Sequence, residues 1–208
     1  MDEWINIVIR QLILYSLPVV ISLTTVTFIE SRFSRTTIPH PFFAISWRGT
    51  WLPLLASLAL HRGIIIALPN PLTPGVKTAS IRCLVHALLC LLGFCLYCWS
   101  LSQNLAQSAP AGLPPLHHWW LKVLMFFNLC MFSLHLLPLP GLVMGEWLLT
   151  SPWANKARHI KRYHVQSKHR WILITVLAAS PLLDLALGAL IVFPVYESMS
   201  SIAAHLAH

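Results

Sequence analysis

Long apolar stretches constrain this chain more than any other feature of its sequence. A helix needs about 20 mostly apolar residues to cross a bilayer, and four stretches meet that length: 7–29, 79–101, 119–149 with a proline break, and 171–195. Of the 208 residues, 57% are hydrophobic and 10% are charged, which leaves too little polar surface for a water-soluble fold. The sequence therefore predicts one all-α polytopic membrane domain over 1–208, with about four transmembrane helices.

A fifth apolar stretch, near 51–70, is interrupted by charge and by turn formers. His61 and Arg62 lie at its middle, where a charge costs a few kcal/mol to insert. The run Pro-Asn-Pro at 69–71 closes it. We therefore expect 51–70 to be a re-entrant or interfacial segment, or a short β-hairpin, and not a fifth span.

Basic residues are divided unevenly among the segments outside the spans. Six of the 14 Lys and Arg lie in 30–82 and six in 151–170, whereas 1–6, 102–118 and 197–208 hold none. With four spans, both basic segments fall on one side, which the positive-inside rule makes cytoplasmic. Both termini are thus predicted outside, and a bacterial inner membrane is the expected location.

The second basic segment is expected to meet anionic lipids at the cytoplasmic face. Because the charge of the chain sits in loops beside membrane spans, no nucleic-acid partner is expected. The lipid-headgroup residues predicted here are Lys156, Arg158, Lys161, Arg162, Lys168 and Arg170.

The third apolar stretch contains a distinctive proline break at 127–145. Its notable residues are Asn128, His135, Pro138, Pro140 and Gly145. The segment resembles the second conserved motif of the site-2 protease family of intramembrane zinc metalloproteases, which has the form N-L-L-P-x-P-P-L-D-G-G. The resemblance implies a helix opened near a buried metal site.

The resemblance does not extend to the catalytic ligands of that family. The family's Asn falls on His135 and its metal-binding Asp falls on Val143. Its H-E-x-x-H motif, which supplies two zinc ligands and a base, is absent, and its three functional positions fall on Ser22, Leu23 and Val26. Since a hydrolytic zinc needs three protein ligands and a water, the resemblance implies a pseudo-peptidase with no catalytic residue.

Histidine and cysteine side chains offer an alternative site. Cys83, His86 and Cys90 share one helix face, and Asn128 and His135 share another. Our first expectation is that no cofactor binds here and that these side chains hydrogen-bond between helices. In the alternative, the two histidines approach each other and bind a b-type haem, or a metal ion together with cysteine.

Asp184 is the most costly residue to place in a membrane, about 20 Å along a continuous fourth helix. No Lys or Arg of this chain is expected to reach that depth, because Arg10 and Lys122 lie near the outer face. The predicted partner is a Ser or Thr hydroxyl with a protonated carboxyl, His86 or His135, or a base from another subunit. Ser180 and Gly188 are expected to complete an interface around it.

Three functions stay open on these observations. We expect first a non-catalytic, site-2-protease-like membrane protein that acts as an assembly or scaffold subunit, with other membrane proteins as partners. The second is a small haem- or metal-binding membrane subunit that uses His86 and His135. The third is an active intramembrane metalloprotease with unrecognised ligands.

Overall fold

A computed structural model describes residues 2–34, 41–69, 72–106, 115–139, 141–151 and 170–207. These residues form helices and connecting turns, and no β-strand is found among them. Three helices in these ranges are long and apolar enough to cross a membrane, namely Glu3–Phe33, Val76–Gln103 and Asp184–Leu206. The prediction of a helical membrane protein is therefore confirmed.

The helices follow one another along the chain in this order: α1 (Asp2–Ser34), α2 (Leu52–Ala59), α3 (Val76–Ala106), α4 (Leu116–Leu134), α5 (Val143–Thr150), α6 (Arg170–Ala179) and α7 (Phe193–Ala207). The centre of the bundle is formed by α1, α3 and α4, which all contact one another. Gly93 brings α3 close to α4, because a Cβ atom there would lie 2.9 Å from the backbone nitrogen of Met125.

Residues 47–68 form a hairpin whose first arm is helical and whose second arm is extended. A π-helical turn, Trp47–Trp51, leads into α2, and the chain reverses near His61, which has a φ of 51°. The return arm, 64–68, is only 0–4% exposed. Its end meets the start of the hairpin, since the Leu68 amide donates to the Gly49 carbonyl at 3.1 Å. The β-hairpin alternative is wrong for this segment because its first arm is a helix.

Proline residues interrupt the third and fourth apolar stretches. α4 ends at Leu134, and α5 begins at Val143 after a loop. α6 ends at Ala179, and a π-helix, Asp184–Val192, then continues into α7. Pro181 has no N–H to extend the hydrogen bonds of α6. The helix able to span a membrane thus begins at Asp184, which differs from the predicted span 171–195 and puts Asp184 near a helix start.

Candidate functional site

Asn128 is fully buried on α4 and hydrogen-bonds to side chains of both neighbouring helices. Its amide nitrogen donates to Ser22 Oγ on α1 and to the Leu124 carbonyl, both at 2.8 Å. Its amide oxygen lies 2.8 Å from His86 Nδ1 on α3. Because a carbonyl cannot donate, the nitrogen must face Leu124, so the oxygen faces His86 and Nδ1 carries the proton. We call Ser22, Asn128 and His86 the neutral network.

His135 lies beside the neutral network, at the end of α4. Its ring centroid is 6.2 Å from that of His86, and the two ring planes are tilted by 44°. Both histidines are buried. The Nδ1 atom of His135 accepts a hydrogen bond from the Val143 amide at 3.3 Å. The structure therefore brings together the two histidines that the helical spacing singled out.

The two rings differ in how well they suit a metal ion or a haem iron. A ligating histidine commonly donates its second ring N–H to an acceptor, and His86 does so to Asn128, which leaves Nε2 free to ligate. In His135 the Nδ1 atom is already an acceptor, so the proton of the neutral ring is on Nε2. Within the described ranges, no group of three or more His, Cys, Asp or Glu is placed to hold a metal ion.

An apolar cavity of about 290 Å³ opens beside His135. Cys83 and Val143 line it together with aromatic and aliphatic side chains. Val143 is the position that the family resemblance aligns with a metal-binding Asp, and here it contributes only methyl groups. Cys90 is buried in the main hydrophobic core and is not among the residues that line this cavity.

A second polar cluster lies where α1 ends and α3 begins. Arg82 is 1% exposed. It donates from Nη1 to Glu30 Oε1 at 2.6 Å and from Nη2 to the Gly141 carbonyl at 2.6 Å. The same guanidinium donates to the Thr73 carbonyl at 3.2 Å. Arg82 thereby ties α1 to the turn before α3 and to the loop after α4.

Glu146, in the first turn of α5, completes this cluster. Its two carboxylate oxygens accept from the Gly141 and Gly75 amides, each at 2.8 Å. Both glycines have positive φ, 86° and 121°, a conformation in which glycine carries no steric penalty. We call Glu30, Arg82 and Glu146 the ionic cluster.

The sequence pattern predicts no role for the ionic cluster. The charge distribution groups Arg82 with the basic loops, although Arg82 lies inside the predicted second span. The sequence does contain a signal for this cluster, namely an Arg and a Glu within or beside apolar helices, because charged groups inside a membrane need partners. Which partners they take depends on two turns that come together only in the folded chain.

The proline-break motif forms the loop between α4 and α5. Pro138 lies in that loop, and Pro140 lies outside the described residues. The Met144 amide donates to the His135 carbonyl at 3.2 Å. A Cβ atom at Gly145 would overlap the Leu139 carbonyl, so only glycine fits there without a backbone shift.

Asp184 contacts the extended arm of the hairpin. Its Oδ1 atom accepts from the Ile64 amide at 2.7 Å. This donor is a backbone N–H and not the hydroxyl, histidine or foreign base that we expected. Arg62 donates from Nε to the Ala179 carbonyl at 2.8 Å, so a basic residue does reach the neighbourhood of this carboxyl, contrary to expectation. Arg62 lies on the hairpin, outside the predicted spans, whereas our expectation took account only of basic residues within the spans.

The two residues expected around Asp184 both contact their own chain. Ser180 donates to the Leu177 carbonyl at 2.9 Å within its own turn. Gly188 faces the ring of Phe193, where a Cβ atom would lie 2.7 Å from a ring carbon. Of the predicted lipid-headgroup residues, Arg170 is the first residue of α6, and the others lie outside the described residues: Lys156, Arg158, Lys161, Arg162 and Lys168.

Comparison of the chain with protein-family models, curated proteins and solved structures finds no match. The assignment of a function therefore depends on the contacts within this chain.

Proposed function

We propose that this chain is a non-catalytic relative of the site-2 proteases that serves as an assembly or scaffold subunit of a membrane complex. The observation that carries the scaffold role is the carboxyl of Asp184. One oxygen accepts from Ile64, and the other has no hydrogen-bond partner in the part of the chain that the structure describes. A carboxyl oxygen at the start of a membrane helix can accept a further donor, and a neighbouring subunit can supply it.

The surroundings of Asp184 support this role. The residue is half-buried and begins a nine-residue π-helix, a rare geometry that is frequent at functional sites. Leu182 and Leu185 beside it are 61% and 72% exposed. An apolar surface around one acceptor atom suits a transmembrane helix that carries a single polar donor.

The neutral network supports the absence of catalysis. Ser22, at a position that the resemblance gives to a family ligand, accepts a hydrogen bond that holds α1 against α4. Val26 and Leu23 at the other two positions are fully buried apolar side chains. These positions thus contribute to helix packing in this chain.

The same proposal includes four crossings and a re-entrant hairpin in a bacterial inner membrane, with both termini outside. α4 has 19 residues, which is about 28 Å at a rise of about 1.5 Å per residue and close to the hydrocarbon thickness. The contact between Leu68 and Gly49 supports a hairpin that enters and leaves on one side.

Cysteine labelling tests this topology. In an otherwise cysteine-free chain, Ser108→Cys is expected to react with an impermeant maleimide from outside, and Val165→Cys only after the membrane is opened. Reaction of both residues from the same side would refute four crossings.

The scaffold role is tested by the size of the complex in mild detergent. Asp184→Leu is expected to convert a larger assembly to the monomer on native gels, whereas the matched acidic change Glu197→Leu on exposed α7 leaves the assembly intact. Asp184→Asn retains an acceptor for Ile64 and is expected to retain much of the assembly. If Asp184→Leu runs at the wild-type size, the carboxyl has no role between subunits.

A second candidate function is supported by the 6.2 Å separation of the His86 and His135 rings. A haem- or metal-binding subunit would need His135 to release the Val143 amide and turn its ring. Protein purified without chelators is expected to contain less than a tenth of an equivalent of zinc, copper or haem. A full equivalent that disappears in His86→Gln would establish the second function and replace the first.

A further inference from the structure

A groove of about 450 Å³ lies between α1, α3 and α4. It does not touch Asp184 or the ionic cluster. Its deeper walls are aliphatic, with Leu17 and Ile21 from α1, Leu96 from α3, and Leu121 and Leu124 from α4. Because α1 and α3 are long and apolar enough to span a membrane, the medium that reaches this groove is lipid.

The groove changes in character along its length. Trp99 lies toward the end of α3, and His117 and Trp120 lie in the first turns of α4. The aliphatic residues follow one or two turns further into the bundle. Tryptophan is enriched at the level of lipid headgroups, where its ring is amphipathic. One end of the groove therefore suits a lipid headgroup, and the other end suits an acyl chain.

Trp120 supplies a polar group at the aromatic end. Its Nε1 atom is buried and has no acceptor among the described residues. An indole N–H can only donate, and a buried donor without an acceptor is unfavourable because it has lost its hydrogen bonds to water. A ligand with an oxygen acceptor at this level, such as a glycerol ester, would remove that cost.

Arg10 extends the same surface outward. It lies seven residues before Leu17, so the two side chains share a face of α1. Arg10 is exposed, and the structure shows no acidic partner for it within the described ranges. A guanidinium at the outer end of this face of α1 is suited to a phosphate.

We propose that this groove binds one phospholipid of the surrounding bilayer. An acyl chain fills the space between α1, α3 and α4, an ester oxygen accepts from Trp120, and the phosphate lies toward Arg10 and His117. The site is distinct from the scaffold role of Asp184 and does not depend on it.

Native mass spectrometry of the full chain tests the proposal. Protein freed of lipid in detergent is titrated with palmitoyl-oleoyl phosphatidylglycerol, and one lipid per chain is expected to bind before any others. Leu96→Trp fills the groove and is expected to lower the affinity for this first lipid at least tenfold. Leu91→Trp is the matched control, since Leu91 lies on the same helix, is 56% exposed and is not part of the groove.

Two milder variants keep the test independent of folding. Trp120→Phe removes only the N–H and is expected to weaken binding about fivefold, which corresponds to about 1 kcal/mol. Trp119→Phe, one residue away, is expected to have no effect. Arg10→Gln is expected to remove the preference for phosphatidylglycerol over phosphatidylcholine.

Three results would overturn the proposal. The first is equal binding of lipid by the Leu96→Trp and Leu91→Trp variants, which would mean that only non-specific annular lipid is present. The second is unchanged lipid binding by Trp120→Phe and Arg10→Gln together. The third is loss of a protein partner, with lipid binding intact, in Leu96→Trp, which would assign the groove to another subunit.

Discussion

The neutral network and the ionic cluster both provide hydrogen-bond partners for buried polar side chains, but they differ in charge. Asn128 in the neutral network joins helices side by side through uncharged groups, and each bond is 2.8 Å long. Arg82 and Glu146 in the ionic cluster bind mostly backbone atoms of two turns, at Gly75 and Gly141. The uncharged groups thus connect helices only, whereas the charged groups also fix the segments between helices, in addition to the Arg82–Glu30 pair that joins α3 to α1.

The difference follows from the cost of each group in a medium of low dielectric constant. The uncharged amide of Asn128 is satisfied by three hydrogen bonds, to His86, Ser22 and Leu124. A buried charge costs several kcal/mol unless several hydrogen bonds surround it. Turns offer backbone N–H and C=O groups that no helix uses, so the charges and the turns satisfy each other.

Removing the guanidinium of the ionic cluster is expected to have the largest effect. Arg82→Met removes the guanidinium that pairs with the buried Glu30, and breaking such a buried ion pair costs about 3–5 kcal/mol. The free energy of unfolding in a detergent titration measures this loss. Lys77→Met, an exposed change five residues earlier on α3, should be close to neutral, and an equal loss in both variants would contradict the cluster's role.

Gly145→Ala tests the loop that Glu146 holds. The added methyl group must displace the Leu139 carbonyl, and such overpacking typically costs about 1–3 kcal/mol. The same titration should show a smaller loss than for Arg82→Met. Leu148→Ala, an exposed position on the same helix, provides the control; a loss there as large as at Gly145 would point to α5 in general and not to this contact.

Asn128→Ala tests the neutral network. It leaves the His86 N–H buried without an acceptor, which costs about 1–3 kcal/mol. In a membrane the expected loss is nearer to about 1 kcal/mol, because the polar groups of the unfolded state also find partners there. We expect a loss below that of Arg82→Met. If Asn128→Ala proves the more destabilising of the two, the contrast between the cluster and the network is wrong.

Ser22→Ala should give the smallest change, about 0.6 kcal/mol, which is typical of one interhelical hydrogen bond in a membrane. A double-mutant cycle with Asn128→Ala isolates the coupling between the two side chains. Coupling of zero would show that Ser22 and Asn128 are merely adjacent.

The helical membrane class was predictable because apolar length alone decides it. The meeting of His86 with His135 was also predictable, since helical spacing places each on an inward face. Pro138 lies in the loop that follows the end of α4 at Leu134. The end of the fourth apolar stretch was not predictable in the same way, because composition does not show that Pro181 divides it and that a π-helix resumes at Asp184.

The amino-acid sequence by itself determined that this chain is a bundle of apolar helices with a few polar groups inside. Only the tertiary structure decided which atoms those groups meet. Asp184 takes a backbone amide of the hairpin, and Arg82 and Glu146 take backbone atoms of two distant turns. The physical reason is that every residue carries the same backbone donor and acceptor. The identity of a side chain therefore shows that it needs a hydrogen-bond partner. Only the folded path of the chain determines which backbone group is that partner.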